Sequence, residues 1–373
     1  MAVLVGRGVR VKLIKCRIYL NRALSFLMTR NKGSLYEICH KLPKVETHCH
    51  LYGTICKETI TYFNNRAGKP FTDEQIERFY IRGTKPVGVL AIFRGLDSDL
   101  IKFPQDLYRI TKEHLAVAKS HNVIYIELSW NPTGTVLESK IPFASAQKAI
   151  HDAMIDSEAE IGIMSRLICA IDRQAEPEKA AQMLDWMLES PSPMTIGIGI
   201  DYKEDGFPPQ LFEDTFKRAK SKGYKITAHA GEFGMPWNNI DYVANIIHAD
   251  RIDHGYTIID NRKLVDQFLE EQRPISVVPT NSYYLRLFDP EEWAQKHPIR
   301  KMIKLGLNIY PNTDDPSFHC VEPTKAWMMM VECFGATIPD LKRFAYNAID
   351  SAWVDKDLKS KWKQDCDKYF QSL

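Results

Sequence analysis

The sequence predicts a single (β/α)8 barrel of the TIM type, with a helical insertion after the first strand and extra helices at the C-terminal end. Three observations carry this prediction. Short β-like runs alternate with longer helical patterns through residues 36–373, eight times in about 270 residues, as eight βα units require. Several runs are almost continuously apolar, for example Ile196-Gly197-Ile198-Gly199-Ile200, which suits strands covered on both faces. No Pro-rich linker, low-complexity stretch or shift in composition divides that span. An open doubly wound sheet is the rival architecture, but no GxGxxG turn follows the first run.

Residues 1–35 stand apart as a basic N-terminal extension. They contain Arg7, Arg10, Lys12, Lys15, Arg17, Arg22, Arg30 and Lys32, and the first acid is Glu37. Such a start reads either as a mitochondrial presequence or as the product of an upstream start codon or a disordered extension ahead of Met28. Its charges interrupt it too often for a secretory apolar region or a spanning helix.

The barrel domain then occupies 36–373, and its first strand is expected at Val45–His50. Residues 56–110 form the insertion, in which Thr72-Asp73-Glu74-Gln75 reads as a capping box opening a helix through Phe79. At the strand C-terminal ends this insertion is either a lid over the pocket or a helical decoration. Strands two to eight are expected at Val123–Trp130, Ile163–Ile171, Thr195–Tyr202, Lys225–Ala230, Arg251–Gly255, Ile275–Pro279 and Leu307–Pro311. Between the fourth and fifth, Pro209–Lys222 carries Leu211, Phe212 and Phe216 at helical spacing, with Gly223 as its stop. After the eighth, Trp327, Phe334, Trp353, Trp362 and Phe370 belong to helices and read as core.

Composition narrows the function classes. A chain that is 45% hydrophobic and 26% charged has the makeup of a globular domain with a sizeable core. A net charge of +2 gives no reason to expect nucleic acid or an anionic membrane as partner. The eight cysteines occur singly with no CxxC pair, which argues against a thiolate zinc site and a disulfide framework. A reducing compartment follows: cytoplasmic, or mitochondrial if the extension is a presequence.

The chemistry-bearing residues collect at predicted strand ends. His48-Cys49-His50 closes the first strand, and a period of two turns both imidazoles to one face, half of a metal site. His229 closes the fifth strand, His254 the sixth, and Asp314 and Asp315 follow the eighth. Catalysis in barrels sits at this face. The other seven histidines (40, 114, 121, 151, 248, 297 and 319) fall on helices, loops or flanks and are given no catalytic role; His297, before Pro298, reads as a helix start.

These motifs resemble the adenosine deaminase family. Pro43-Lys44-Val45-Glu46-Thr47-His48-Cys49-His50-Leu51, the HAGE of 229–232, the RIDHG of 251–255 and the NTDDP of 312–316 stand in the family's order over roughly residues 40–350. The resemblance implies one Zn2+ per chain held by His48, His50, His229 and Asp314. It makes Glu232 the proton donor to purine N1, and His254 the group that orients or deprotonates the attacking water. It places Asp315 near purine N7, and near that water as well. The implied reaction is hydrolytic deamination of a 6-aminopurine, with attack of zinc-activated hydroxide at C6 and release of ammonia. Three nitrogens and a carboxylate suit zinc, and a buried carboxyl with a raised pKa suits the acid.

Four positions depart from the nucleoside-deaminase pattern. Tyr52 stands where an acid near the ribose 5′-hydroxyl is usual, and Glu204 where a glycine is usual. Asp253 replaces a glycine in RIDHG, and Thr280-Asn281-Ser282 inverts the usual Ser-Asn order. Glu204 and Asp253 look more like the adenine deaminase branch. Tyr52 and Glu204 are therefore candidate substrate-binding residues beside His50 and Asp315, and the substrate stays open between adenosine, adenine and a modified aminopurine. Two other readings compete. One is a two-metal amidohydrolase with a carboxylated Lys203; the other is a non-catalytic binding protein on the same barrel.

Overall fold

A computed structural model describes residues 32–81 and 89–373 of the chain. The basic extension, apart from a helix over Lys32–Lys41 that crosses its expected end at residue 35, lies outside the described residues. Eight strands follow: β1 (Lys44–His50), β2 (Val123–Trp130), β3 (Met164–Asp172), β4 (Thr195–Asp201), β5 (Lys225–Ala230), β6 (Arg251–His254), β7 (Ile275–Val277) and β8 (Ile309–Pro311). Each pairs in parallel with the next, in the order β1 to β8. The ring closes just past β8, where the His50 amide donates to the Asp314 carbonyl at 2.8 Å and the Asp314 amide to the His48 carbonyl at 3.1 Å. This is the (β/α)8 barrel that the alternation predicts.

β7 and β8 are shorter than expected. The amide and carbonyl of Val278 both bond to the Tyr256 hydroxyl, at 3.0 Å each, so that residue leaves the ladder. The Gly alternation of β4 also has a structural cause. A Cβ on Gly197 would lie 2.5 Å from the Trp353 ring, so the glycine admits that indole against the strand. Trp353 in turn covers the buried Arg251 guanidinium at 4.3 Å, and its amide donates to Glu127, which Arg251 also holds at 2.9 Å. The C-terminal segment is thereby pinned across the barrel's N-terminal end.

The insertion contains the expected capping box, with Thr72 and Gln75 bonded reciprocally at the start of the helix Asp73–Phe79. After residues 82–88, which lie outside the described residues, the helix Val89–Gly95 packs Phe93 against Tyr52, Tyr202 and Phe318 at the barrel mouth. One expectation needs correction. Leu211 is 47% exposed while Phe212 and Phe216 are buried, because Pro209–Phe212 is a 3-10 turn and the α-helix begins only at Glu213. Trp327, Phe334 and Trp362 are core, as read. Among the described residues all seven cysteines are free, and no helix is long and apolar enough to cross a membrane.

Candidate active site

The strand C-terminal ends bring the predicted residues into one buried cluster. β1 presents His48 and His50 side by side, β5 delivers His229, β6 His254, and the turn after β8 delivers Asp314 and Asp315. Asp314 Oδ1 lies 3.4 Å from His48 Nε2 and 3.1 Å from His50 Nε2. The His229 ring centroid is 4.7 Å from that of His48 and 5.1 Å from that of His50. His254 and Asp314 adopt left-handed backbone, φ +69° and +63°, a conformation costing about 1–3 kcal/mol that surrounding structure must hold. Strain of this kind gathers where side chains must be aimed at a site.

The donor set fits a divalent metal ion. His48 Nε2 is buried and has no hydrogen-bond partner among the described residues, yet it points at Asp314. Burial first, and then the neighbouring imidazoles, holds His229 and His254 well below the usual histidine range, so both are neutral nitrogen donors. Burial disfavours the charge of Asp314, but His48 and His50 outweigh it and keep that carboxyl well below its usual range. Behind the cluster, Asp201 at the end of β4 reaches His50 Nδ1 at 3.2 Å and is held by Asn131 at 2.7 Å.

Glu232 sits on the rim of this cluster. Its Oε2 is 3.5 Å from both His229 Nδ1 and His254 Nε2. Its Oε1 accepts from Asn281 Nδ2 at 3.1 Å. Burial, followed by the charges of Asp314 and Glu204, raises the Glu232 carboxyl well above its ordinary value. Asp315 lies beside Asp314, close against the 3-10 turn Tyr52–Thr54 that follows β1: a Cβ on Gly53 would fall 2.1 Å from Asp315 Oδ1.

The two candidate substrate residues are placed differently. The Tyr52 hydroxyl donates to Asp97 Oδ1 at 2.8 Å and meets Thr135 Oγ1 at the same distance, so it faces the insertion. Glu204 accepts from the amides of Gly231 and Glu232 at 3.0 and 3.1 Å and from Asn239 at 2.7 Å. Both its oxygens hold the HAGE turn from behind, and neither residue lines the cavity.

That cavity, about 430 Å³, opens over Glu232, His50, Asp314 and Asp315. Val89, Leu90 and Phe93 of the insertion form one apolar wall, which places the insertion over the pocket. Phe233, Met235 and Tyr283 form another. His319, a helical residue as read, also lines it, with Nε2 3.7 Å from Asp315 Oδ2. Its position one helical turn after Asp315 was the available signal. Asn281 was singled out only as a departure in order, and its contact with Glu232 is now explicit. His297 is a helix start as read, its Nδ1 accepting from the Ile299 amide at 3.2 Å. Lys203 lines the cavity but is exposed and pairs with Asp205 at 3.1 Å, while Asp201 occupies the end of β4 beside His50.

A closed parallel barrel with a buried imidazole–carboxylate cluster at its strand C-terminal ends defines a hydrolase of the amidohydrolase type. The adenosine deaminase family matches residues 43–369, and the chain belongs to that family. An adenine deaminase of Pseudomonas putida is 31% identical over 86% of this chain and 100% of its own length. A zinc-bound amidohydrolase structure from Burkholderia ambifaria is 48% identical, with a TM-score of 0.88 over 90% of this chain and 94% of that one. The structure of an adenine deaminase from Arthrobacter aurescens is 27% identical, with a TM-score of 0.81 over 88% of this chain and 99% of that one. The chain is accordingly a hydrolytic deaminase acting on a C–N bond.

Proposed function

We propose that this enzyme is a zinc-dependent deaminase of a 6-aminopurine, with the free base adenine as its substrate. The observation that carries the reading is Glu232, a buried carboxyl whose pKa is raised by burial and by the charges of Asp314 and Glu204, at the edge of a cluster of His48, His50, His229 and Asp314. His48, His50, His229 and Asp314 hold the ion, and the zinc of the Burkholderia relative supports its identity. When bound, zinc supplies a water nucleophile near neutral pH.

The side chains divide the remaining work. Glu232 delivers its proton to ring N1, so that electrons displaced by attack at C6 have somewhere to go. Asn281 fixes one Glu232 oxygen and leaves the other facing the reacting ring. His254, 3.5 Å from that free oxygen and 3.2 Å from His229, orients the water. Asp315, which lines the cavity beside Asp314, reaches purine N7 and fixes the ring plane. Apolar walls from the insertion and from Phe233 exclude bulk water.

Adenine is favoured over adenosine by the curated relatives, which are adenine deaminases, and by Tyr52, whose hydroxyl is engaged by Asp97 and Thr135 outside the cavity lining. The test is an ultraviolet assay of adenine, adenosine and N6-methyladenosine in parallel. Adenine is expected to turn over with the highest kcat/KM. A faster reaction with adenosine would overturn the choice of base, and no absorbance change with any of the three would overturn the substrate class.

A further inference from the structure

We infer that Asp253 is a positioning residue for the zinc ligand His48, acting through a hydroxyl relay on Ser276. The inference rests on the proposed reading that His48 binds the metal. Ser276 on β7 donates its hydroxyl proton to Asp253 Oδ1 at 2.5 Å, and His48 Nδ1 lies 2.9 Å from the same Oγ. A serine has one proton to give. Because that proton goes to the carboxylate, Ser276 must accept from His48, and the imidazole proton therefore sits on Nδ1. Nε2, the nitrogen facing Asp314 at 3.4 Å, is left with its lone pair free for a cation.

Asp253 is itself fixed from two further sides. Thr227 on β5 donates to Oδ2 at 2.5 Å, and Arg251 Nε stands 3.6 Å from Oδ1. Arg251 is anchored to Glu127 at 2.9 Å and covered by Trp353. A buried polar chain thus runs along the barrel from the His48 ring to the N-terminal end, and all its members are buried except the half-buried Trp353. His50 has a shorter equivalent in its direct approach to Asp201. Partners of this kind set the tautomer and ring orientation of ligating histidines, and their loss typically weakens metal binding about 10- to 100-fold.

The experiment measures zinc affinity by competition with a colorimetric chelator, together with the melting temperature of each zinc-stripped protein. Ser276→Ala is expected to weaken zinc about 10- to 100-fold. Ser276→Thr, which keeps the hydroxyl, should restore it to within about threefold of wild type. Asp253→Asn should fall between wild type and Ser276→Ala, and the double variant should be no weaker than Ser276→Ala alone, because both act on one relay. If wild type binds one zinc and Ser276→Ala binds it equally well, the relay is overturned. It is equally overturned if Ser276→Thr fails to rescue, or if the affinity loss only tracks a lowered melting point of the stripped protein. A wild-type chain that binds no zinc overturns the metal-centre reading along with it.

Discussion

Glu232 holds two hydrogen-bonding oxygens in two different surroundings, and this asymmetry gives it a single job. Oε1 is occupied by Asn281, while Oε2 faces His229, His254 and the cavity. Glu232→Gln keeps the shape and the Asn281 contact but removes the transferable proton. The variant should retain its zinc by elemental analysis and lose turnover by about 10²- to 10⁴-fold. A variant within a few-fold of wild type would remove Glu232 from the role of acid. The residues nearest the chemistry were legible in the sequence because strand periodicity alone puts His48 and His50 on one face. Their supports were not. Ser276 gave no signal, and although Asp253 and Asn281 stood out as departures, which side chains they meet across the barrel is not written in local spacing. Glu204 and Tyr52 show the converse: both were recognised as departures, yet their oxygens turn to the HAGE turn and to Asp97.

At the scale of elements, the helix Pro104–Ser120 is locked to β1 by a buried titratable contact. His114 Nε2 lies 3.4 Å from Cys49 Sγ, on the strand carrying the two predicted ligands. Burial lowers the His114 pKa to about 4, against about 6.5 in an unfolded chain. Between those values the unfolded state binds more protons than the folded one, so stability falls as pH drops from about 6.5 to about 4. Across that window the loss from this one group is of order 3 kcal/mol. His114→Leu should flatten the acid side of the stability curve, measured as melting temperature from pH 7 to 4.5. An unchanged slope would show that His114 is charged or solvated in the folded protein. Element types and order followed directly from apolar runs and stop signals. Their ends did not, since the length of β7 depends on Tyr256 capturing the backbone of Val278, a contact between segments 22 residues apart.

For the molecule as a whole, the thinnest backbone pairing in the ring coincides with the site. Neighbouring strands share a paired ladder, but the backbone of β8 meets β1 only through a single bridge, Cys49 with Asp314. The seam relies for the rest on side chains, Asn312 Oδ1 accepting from the Thr47 and His48 amides and Glu46 Oε1 from the Thr313 amide. Three of the four proposed zinc ligands, His48, His50 and Asp314, lie on the two sides of this seam, and His229 stands across the barrel from it. A bound ion would therefore act as a cross-link that closes the barrel as well as a source of nucleophile. At a free zinc concentration 100 times Kd, linkage alone adds about 2.7 kcal/mol to folding. The cross-link adds a spatial expectation that linkage by itself does not make. Removing zinc with a chelator should abolish activity and lower the melting temperature by several degrees, with both restored by zinc. Hydrogen exchange should then accelerate first at the amides of His50 and Asp314, ahead of the β2–β3 ladder, which is continuous over six residue pairs. Uniform acceleration across the barrel, or no change at the seam, would mean that the ion stabilises the fold without closing it.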